Sequence, residues 1–395
     1  MAGARRVVIA PDKFKGSLTA AQVAHHLAVG VRSALSTVDV VEAPVADGGD
    51  GTLAAVLACG FRRVGLVASG PTGQPVQTAF ATRAGVGVIE LADVSGLARL
   101  PAGTTAPLVA SSRGTGEVVA AALEARCHRV VIGLGGSACT DGGAGMVRAL
   151  GARVCTAGGA AIDEGGGALG EAALLDLSAL HPGLAHAQII LASDVDSPLL
   201  GPAGAARLFA PQKGATAEQV EALESALRRW ADLVDATLRQ APDRMPPWLA
   251  DRGSRPGLRD EPGAGAAGGA GFAAMAVLGA RRRPGIDVIL DLVGFVEQIR
   301  GADLVVTGEG SLDPQSLRGK APIGVAARAA QAGVRTVAVC GRLALSRGQL
   351  AQAGLSGAYS LQPYERDLQR SMRDARPLLE RVGRQIAIDH LAQGW

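Results

Sequence analysis

Residues 5–23 read RRVVIAPDKFKGSLTAAQV, and the order within them of apolar run, polar loop and capped helix decides the fold. The run from Arg5 to Ala10 is short, rich in Val and Ile and closed by Pro11, the pattern of a strand buried on both faces of a parallel sheet. Thr19 and Gln22 stand at capping-box spacing, and Val23, Leu27 and Val31 recur every four residues, so a helix begins near residue 19. Further strands are predicted over VDVVEAPV (38–45) and VGLVAS (64–69), with a helix over TLAAVLACG between them. Strand, helix and strand in succession imply parallel pairing through a right-handed crossover, so the beginning of the chain predicts a doubly wound α/β sheet.

From residue 71 the pattern shifts to shorter alternating runs such as PVQTAFATRAGVGVIELA, which predict hairpin strands. Alternation of helix and strand then returns, with a helix over GEVVAAALEA, strands over RVVIGLG and AQIILASD, and a charged amphipathic helix from Thr216 to about Leu238. The segment Ala241–Gly271 is rich in Pro, Gly and Arg and predicts a mobile connection, with PGAGAAGGAGFAAMAVLGA from residue 262 read as a Gly-rich loop running into a helix. The last third repeats the spacing of the first 70 residues: a strand in ADLVVTGEG, a helix in IGVAARAAQAG, a strand in RTVAVCG and a terminal helix with charged faces. A chain of 395 residues exceeds what one hydrophobic core usually holds. Two α/β domains are therefore expected. Residues 1–70 plus 290–395 would form a flavodoxin/Rossmann-like doubly wound parallel sheet built by both chain ends, and residues 71–289 an inserted mixed α/β domain.

Composition excludes several classes of function. Aromatic residues are only 3% and the net charge is +3, and no basic run is interleaved with aromatics, so nucleic acid is not an expected partner. The densest cationic cluster, Arg281–Arg283, reads as an exposed turn. The five cysteines show no CxxC pair and no His partner at zinc spacing, which suits a reducing cytoplasm. The apolar run after Arg6 is too short for a signal peptide, and the uncharged stretch from residue 262 has too many glycines for a spanning helix, so neither secretion nor a membrane is expected. Nothing in the sequence fixes the oligomeric state, and a homo-oligomer stays open.

Only four cations of the 39 are lysine: Lys13, Lys15, Lys213 and Lys320, each in a Gly-rich, Asp-rich or Pro-flanked stretch. A compact ammonium on a flexible stem binds phosphate as a point charge where arginine offers a rigid fork, so the choice marks candidate anion sites. PDKFKGS follows a strand and precedes a helix, which places Lys15 and Ser17 beside free backbone N–H groups. ADGGDGT (46–52) sets Asp47 and Asp50 among Gly48, Gly49 and Gly51, where glycine lets backbone approach a ligand and a carboxylate can hold a metal or a hydroxyl. GLGGSACTDGGAG (133–145) offers Gly135, Gly136, Ser137, Thr140 and Asp141 to phosphate. It also nears the dinucleotide fingerprint and so raises a nicotinamide-dependent oxidoreductase using the Gly133–Gly145 loop, although no acid ends a second strand at the required distance. SDVDSPLLG places Asp194 and Asp196 on opposite sides of an extended segment. Lys213 lies in a turn ahead of a helix, while Glu309 and Asp313 follow a strand and Gln315 and Lys320 precede a helix. Pro314 and Ala321 rule out a Walker A loop, and the six histidines make no triad or metal pattern. Many Gly, Asp and Lys with no dominant nucleophile suit phosphoryl transfer, in which positioning, magnesium and cations supply most of the rate. A non-catalytic nucleotide-binding protein is the second alternative.

APDKFKGSLTAAQVA, PVADGGDGT, GLGGSACTDGGAGM, SDVDSPLLG, FAPQKGA, PGAGAAGGAGF and VVTGEGSLDPQSLRGKAPIGVA occur in this order, and together they resemble the bacterial glycerate kinase family that makes 2-phosphoglycerate. The resemblance spans nearly the whole chain. It implies ATP, magnesium and D-glycerate, transfer of the γ-phosphoryl group to the 2-hydroxyl, a flavodoxin-like domain with an inserted second domain, and a site in the cleft between them. From the loops themselves, Asp47 or Asp194 would accept the hydroxyl proton, Lys15 with Lys213 or Lys320 would neutralise the anions, and Asp141, Glu309 or Asp313 would serve magnesium. Lys13 where the family usually has Ser, Asp50 where it has Glu, and ACTDGG where it has ATNDGG are departures that bear on single contacts.

Overall fold

The computed structural model describes residues 5–251 and 256–392. The chain folds into two compact units, one of residues 1–47, 54–60 and 284–395 and the other of residues 48–53 and 61–283. Strands of the first unit are β1 (Arg6–Pro11) and β2 (Asp39–Glu42). The second unit carries β3 (Arg62–Ser69), β4 (Pro75–Arg83), β5 (Val86–Glu90), β6 (Arg129–Gly133), β7 (Arg153–Cys155), β8 (Leu174–Asp176), β9 (Gln188–Ala192) and β10 (Arg281–Arg283). Then β11 (Leu304–Leu312), β12 (Thr336–Leu343) and β13 (Gly357–Ser360) complete the first.

The first unit is an all-parallel sheet in the order β13-β12-β11-β1-β2. Read from the other edge, this is the flavodoxin-like order, with its topological switch point between β1 and β11. Both chain ends thus build one sheet. The helix Ala20–Ala34 starts where expected, with Thr19 and Gln22 forming a complete capping box, and it packs on the terminal helix Ala375–His390 through a core of Val23, Leu27, Val31, Leu379, Val382 and Ile386. Two glycines set how closely those helices cross. A methyl group on Gly30 would lie 2.0 Å from the Glu380 carbonyl oxygen, and one on Gly383 would lie 2.3 Å from that of Leu27.

The second unit is a mixed sheet in the order β10-β9-β6-β5-β4-β3, with a small β7-β8 hairpin. Its first three strands, β3 to β5, form an antiparallel meander. Ala84 and Gly85, both at positive φ, make the two-residue turn that a right-twisted hairpin requires. The strand expected over 64–69 as a continuation of the first domain is β3, which belongs to the second sheet because β4 runs back beside it in register from Arg62↔Thr82 to Ser69↔Pro75. Arg281–Arg283 is likewise no turn but the edge strand β10, parallel to β9, with Arg282 ion-paired to Asp196. Charged side chains on an edge strand discourage further pairing.

The segment Ala241–Gly271 contains more regular structure than its composition suggests, although residues 252–255 lie outside the described residues. Helical turns at Pro242–Arg244, Pro247–Asp251 and Leu258–Asp260 precede a helix at Ala266–Leu278. Leu249 and Leu258 are buried, and Arg259 bridges Asp232 and Asp235 of the long helix Ala217–Gln240. Among the described residues no helix is long and apolar enough to cross a membrane.

Substituting Gly30→Ala should lower the stability of the first unit by about 1–3 kcal/mol, because the methyl meets backbone that cannot rotate away. That loss outweighs the gain of up to about 1 kcal/mol that alanine brings to a helix interior. Urea unfolding beside Gly348→Ala, where nothing lies within 4 Å, checks this. A Gly30→Ala midpoint at or above that of the unsubstituted protein would overturn the close-crossing argument.

Candidate active site

Strand order alone directs attention to the carboxyl ends of β1 and β11. Asp12 leaves β1 by donating its N–H to the Gly308 carbonyl at 2.8 Å, so it sits beside the middle of β11. The carboxylate is only 7% exposed. Oδ1 accepts the Lys13 N–H at 2.6 Å and lies 3.9 Å from the Lys13 ammonium. Burial pushes the Asp12 carboxyl up to about 7; Lys13 opposes the shift, and Asp47 and Glu309 reinforce it. Glu309 is also pushed up by burial, against the Ser316 hydroxyl and Lys320, with Asp313 and Asp47 adding to the rise. Lys320 Nζ stands 3.8 Å from Glu309 Oε2, while Oε1 is buried with no hydrogen-bond partner. Residues from separate motifs, Asp12, Lys13, Asp47, Glu309 and Lys320, thus meet at one sheet edge.

Some expected positions shift in role here. Glu309 does not follow the strand but lies within it, since β11 runs on to Leu312 with Glu309 in register with Cys340 of an equally extended β12. Asp313 shapes its own turn: Oδ1 accepts the Gln315 N–H at 2.8 Å, and Gln315 itself is exposed. In the PDKFKGS loop, Phe14 is buried and paired with Leu18, and Gly16 sits at φ +77° to close the turn. Lys15 is exposed, and the Ser17 hydroxyl donates to the Met372 carbonyl at 2.6 Å, so its proton is already committed.

In the second unit the Gly-rich stretches face one another. A methyl on Gly48 would lie 2.6 Å from the Ala192 oxygen, one on Gly133 2.5 Å from the Gly48 oxygen, and one on Gly135 2.5 Å from the Gly49 Cα. One on Gly136 would lie 2.6 Å from Asp50 Oδ1. Glycine at Gly48, Gly133 and Gly135 therefore permits backbone to pack on backbone, which leaves the Gly133–Gly145 loop poorly suited to the close pyrophosphate approach of a dinucleotide fold. Asp141 is fully buried and serves the chain itself. Its Oδ2 accepts from the Ser112 N–H and hydroxyl, both at 2.8 Å, and from the Gly145 N–H at 3.2 Å, and its Oδ1 from the Gly143 N–H at 3.1 Å. With its lone pairs so occupied, Asp141 is not presented to a metal, in contrast to its expected role.

Lys213 is likewise turned inward. It is 3% exposed, and its ammonium donates to Ser137 Oγ at 3.0 Å and to the Cys139 carbonyl at 2.5 Å. Burial pushes its pKa down, against Cys139 and Asp141. Lys213 thus braces the 133–145 loop and takes Ser137 with it. Beyond the end of β9, Asp196 is exposed and held by Arg282, while Asp194 is half-buried.

Two acidic residues escaped the sequence reading. Asp12 was legible in principle, as the residue just past the first strand. Glu90 gave no local signal. It ends β5, and its carboxylate accepts the N–H groups of Gly51 at 3.1 Å and Leu53 at 2.9 Å. Among the described residues no three His, Cys, Asp or Glu side chains converge to hold a metal ion by themselves.

A flavodoxin-like sheet with carboxylates and lysines gathered at its switch point, and no nucleophile among them, suits an enzyme that positions and neutralises phosphoryl groups. The glycerate kinase family matches residues 7–390. The chain is 39% identical over 385 residues to glycerate kinase of Bacillus subtilis (strain 168), and 39% identical over 386 residues to glycerate 2-kinase of Escherichia coli (strain K12), covering 97% of each chain in both cases. A crystal structure described as that of a "putative glycerate kinase 2 from Salmonella typhimurium LT2" superposes with a TM-score of 0.82 at 36% identity, covering 98% of both chains. The protein is a kinase. It belongs to the glycerate kinase family.

The Asp12 carboxyl titrates at about 7 in the fold against 3.8 when free. A folded pKa raised above the unfolded one contributes stability in full below about pH 4 and loses it as pH rises through about 7. Relative to Asp12→Asn, the unsubstituted protein should therefore lose roughly 2–4 kcal/mol between pH 4 and pH 8. Denaturant unfolding of both at several pH values measures this, and parallel stability curves would show that Asp12 carries no such burden.

Proposed function

We propose that this kinase transfers the γ-phosphoryl group of ATP to the 2-hydroxyl of D-glycerate, giving 2-phosphoglycerate and ADP. The observation that carries the proposal is the meeting of Asp12, Asp47, Glu309 and Lys320 at the β1 and β11 edge, in a chain whose relatives include one named glycerate 2-kinase. Asp47 accepts the proton of the 2-hydroxyl as that oxygen attacks phosphorus; Asp194 is the second candidate. The exposed ammonium of Lys15 and that of Lys320 neutralise the phosphoryl oxygens and the glycerate carboxylate. The residues fit magnesium: the orphaned Glu309 Oε1 is a hard oxygen donor, with the Asp313 carboxylate nearby in charge interaction, and this ion uses one or two carboxylates plus substrate phosphates. When bound, magnesium screens charge on the β- and γ-phosphates. Lys213, Ser137 and Gly135 shape the 133–145 loop, and Gly136, exposed at its tip, is the member of that set free to approach phosphate.

Incubation with magnesium-ATP and D-glycerate, followed by phosphorus NMR, should give the monoester signal of 2-phosphoglycerate; a 3-phosphate product or unchanged ATP would overturn the assignment. Asp47→Ala should lower kcat by about 100-fold or more, the usual worth of a general base. Should Asp194→Ala show that loss and Asp47→Ala stay within a few-fold, the base is Asp194. Lys15→Arg should lower kcat/KM, because a planar fork cannot take the place of an ammonium.

A further inference from the structure

Glu90 is set apart from the other carboxylates of the second unit by what it holds. It is the last residue of β5, paired in register with Gly133 of β6, so its main chain is fixed by the sheet. Its two carboxylate oxygens accept separate backbone donors, Oε1 from Gly51 and Oε2 from Leu53. The donors stand where the loop of residues 48–51, which follows Asp47 directly and carries Asp50, enters the helix Thr52–Ala58: Gly51 ends the loop and Leu53 lies in the first turn of that helix. The same loop is closed on itself by the Thr52 hydroxyl, which donates to the Gly49 carbonyl at 2.7 Å. On its other side it packs backbone against backbone, Gly48 and Gly49 meeting Ala192, Gly133 and Gly135.

We infer that Glu90 is a positioning residue for phosphoryl transfer: its carboxylate pins the Gly51 and Leu53 amides and so fixes the loop bearing Asp50 and the adjoining Asp47. The inference rests on the function proposed above. A carboxylate suits this task better than an amide, since it accepts at both oxygens, whereas a glutamine would set an NH2 donor against one of the two N–H donors. The arrangement is costly to keep. Burial raises the Glu90 pKa, Asp50 and Asp93 raise it further, and the two amides oppose the shift. Burying a carboxylate beside two other acids is costly unless its oxygens find donors, and the Gly51 and Leu53 amides are the donors it has.

Full-length Glu90→Ala and Glu90→Gln proteins would be compared with the unsubstituted enzyme by amide hydrogen exchange and by steady-state kinetics with magnesium-ATP and D-glycerate. In Glu90→Ala, peptides covering residues 46–57 should exchange faster by about tenfold or more while other peptides of the second unit stay protected. Its kcat should fall by about 10- to 100-fold, the usual cost of a catalytic group displaced by about 1 Å, with the KM for ATP within about twofold. Glu90→Gln, keeping one acceptor oxygen, should fall between on both readouts, and it carries the test if the alanine protein does not fold. Unchanged exchange in 46–57 overturns the inference. Faster exchange with kcat within about twofold also overturns it, because Glu90 would then be a structural clasp only. An unsubstituted enzyme inactive on D-glycerate would instead refute the substrate reading, and the exchange data alone would then decide whether Glu90 holds the loop.

Discussion

The parallel pairing of β1 with β11 is the interaction on which the rest depends. Five residue pairs, from Val7↔Leu304 to Pro11↔Gly308, join strands from opposite ends of the chain. Closing so long a loop costs only slowly more entropy than closing a short one, and the return is a central strand pair with Val7, Val8, Ile9, Val305 and Val306 wholly buried. The Thr307 hydroxyl donates to the Ala10 carbonyl at 2.9 Å across the same pair. Because this pairing reverses the direction in which strands are added, it creates the switch point. Asp12 and Glu309 become neighbours for no other reason.

In the second unit the controlling constraint is the absence of side chains. Gly48, Gly133 and Gly135 each meet backbone atoms where a Cβ would stand. Loops that approach this closely are fixed by excluded volume and cannot shift by exchanging rotamers. The low aromatic content belongs to the same design, since few large side chains must be housed near the edge where these loops meet. Rigid loops of this kind are what Lys213, Asp141 and Glu90 are then built to brace: each is a buried or half-buried charge spent on hydroxyls, amides or carbonyls of a neighbouring loop.

Much of the fold was legible in the sequence because its signals are local. The capping box at Thr19 is realised in full, the amphipathic helix begins after Thr216 as expected, and the apolar runs of β1, β6, β9 and β12 lie where periodicity put them. Misreadings arose where a partner decides the outcome. VGLVAS looks the same whether it continues a parallel sheet or opens an antiparallel meander, and only β4 settles which. Arg281–Arg283 is polar enough for a turn, yet β9 offers it a ladder. Among the candidate site residues, the loops were found from composition, but the direction of each side chain was not. Lys213 and Asp141 read as ligands because a charge in a Gly-rich stretch is written identically whether it points outward or inward.

The carboxylates at the β1 and β11 edge show how stability and chemistry compete. Asp12 and Glu309 are both pushed up by burial, with Asp47 adding to each, and the Lys13 and Lys320 ammonium groups stand 3.9 Å and 3.8 Å from their carboxylates. Lys320 meets Glu309 Oε2 as a charge attraction without a formed hydrogen bond, and Glu309 Oε1 is buried with no hydrogen-bond partner. An apolar or amide replacement would be easier to bury. That the fold keeps acids here, and keeps lysine where nearly every other cation is arginine, argues for a site that needs mobile ammonium groups and oxygen donors held in reserve. An arginine fork at position 320 could take both oxygens of Glu309, whereas the Lys320 ammonium stands 3.8 Å from Oε2 and leaves Oε1 without a partner.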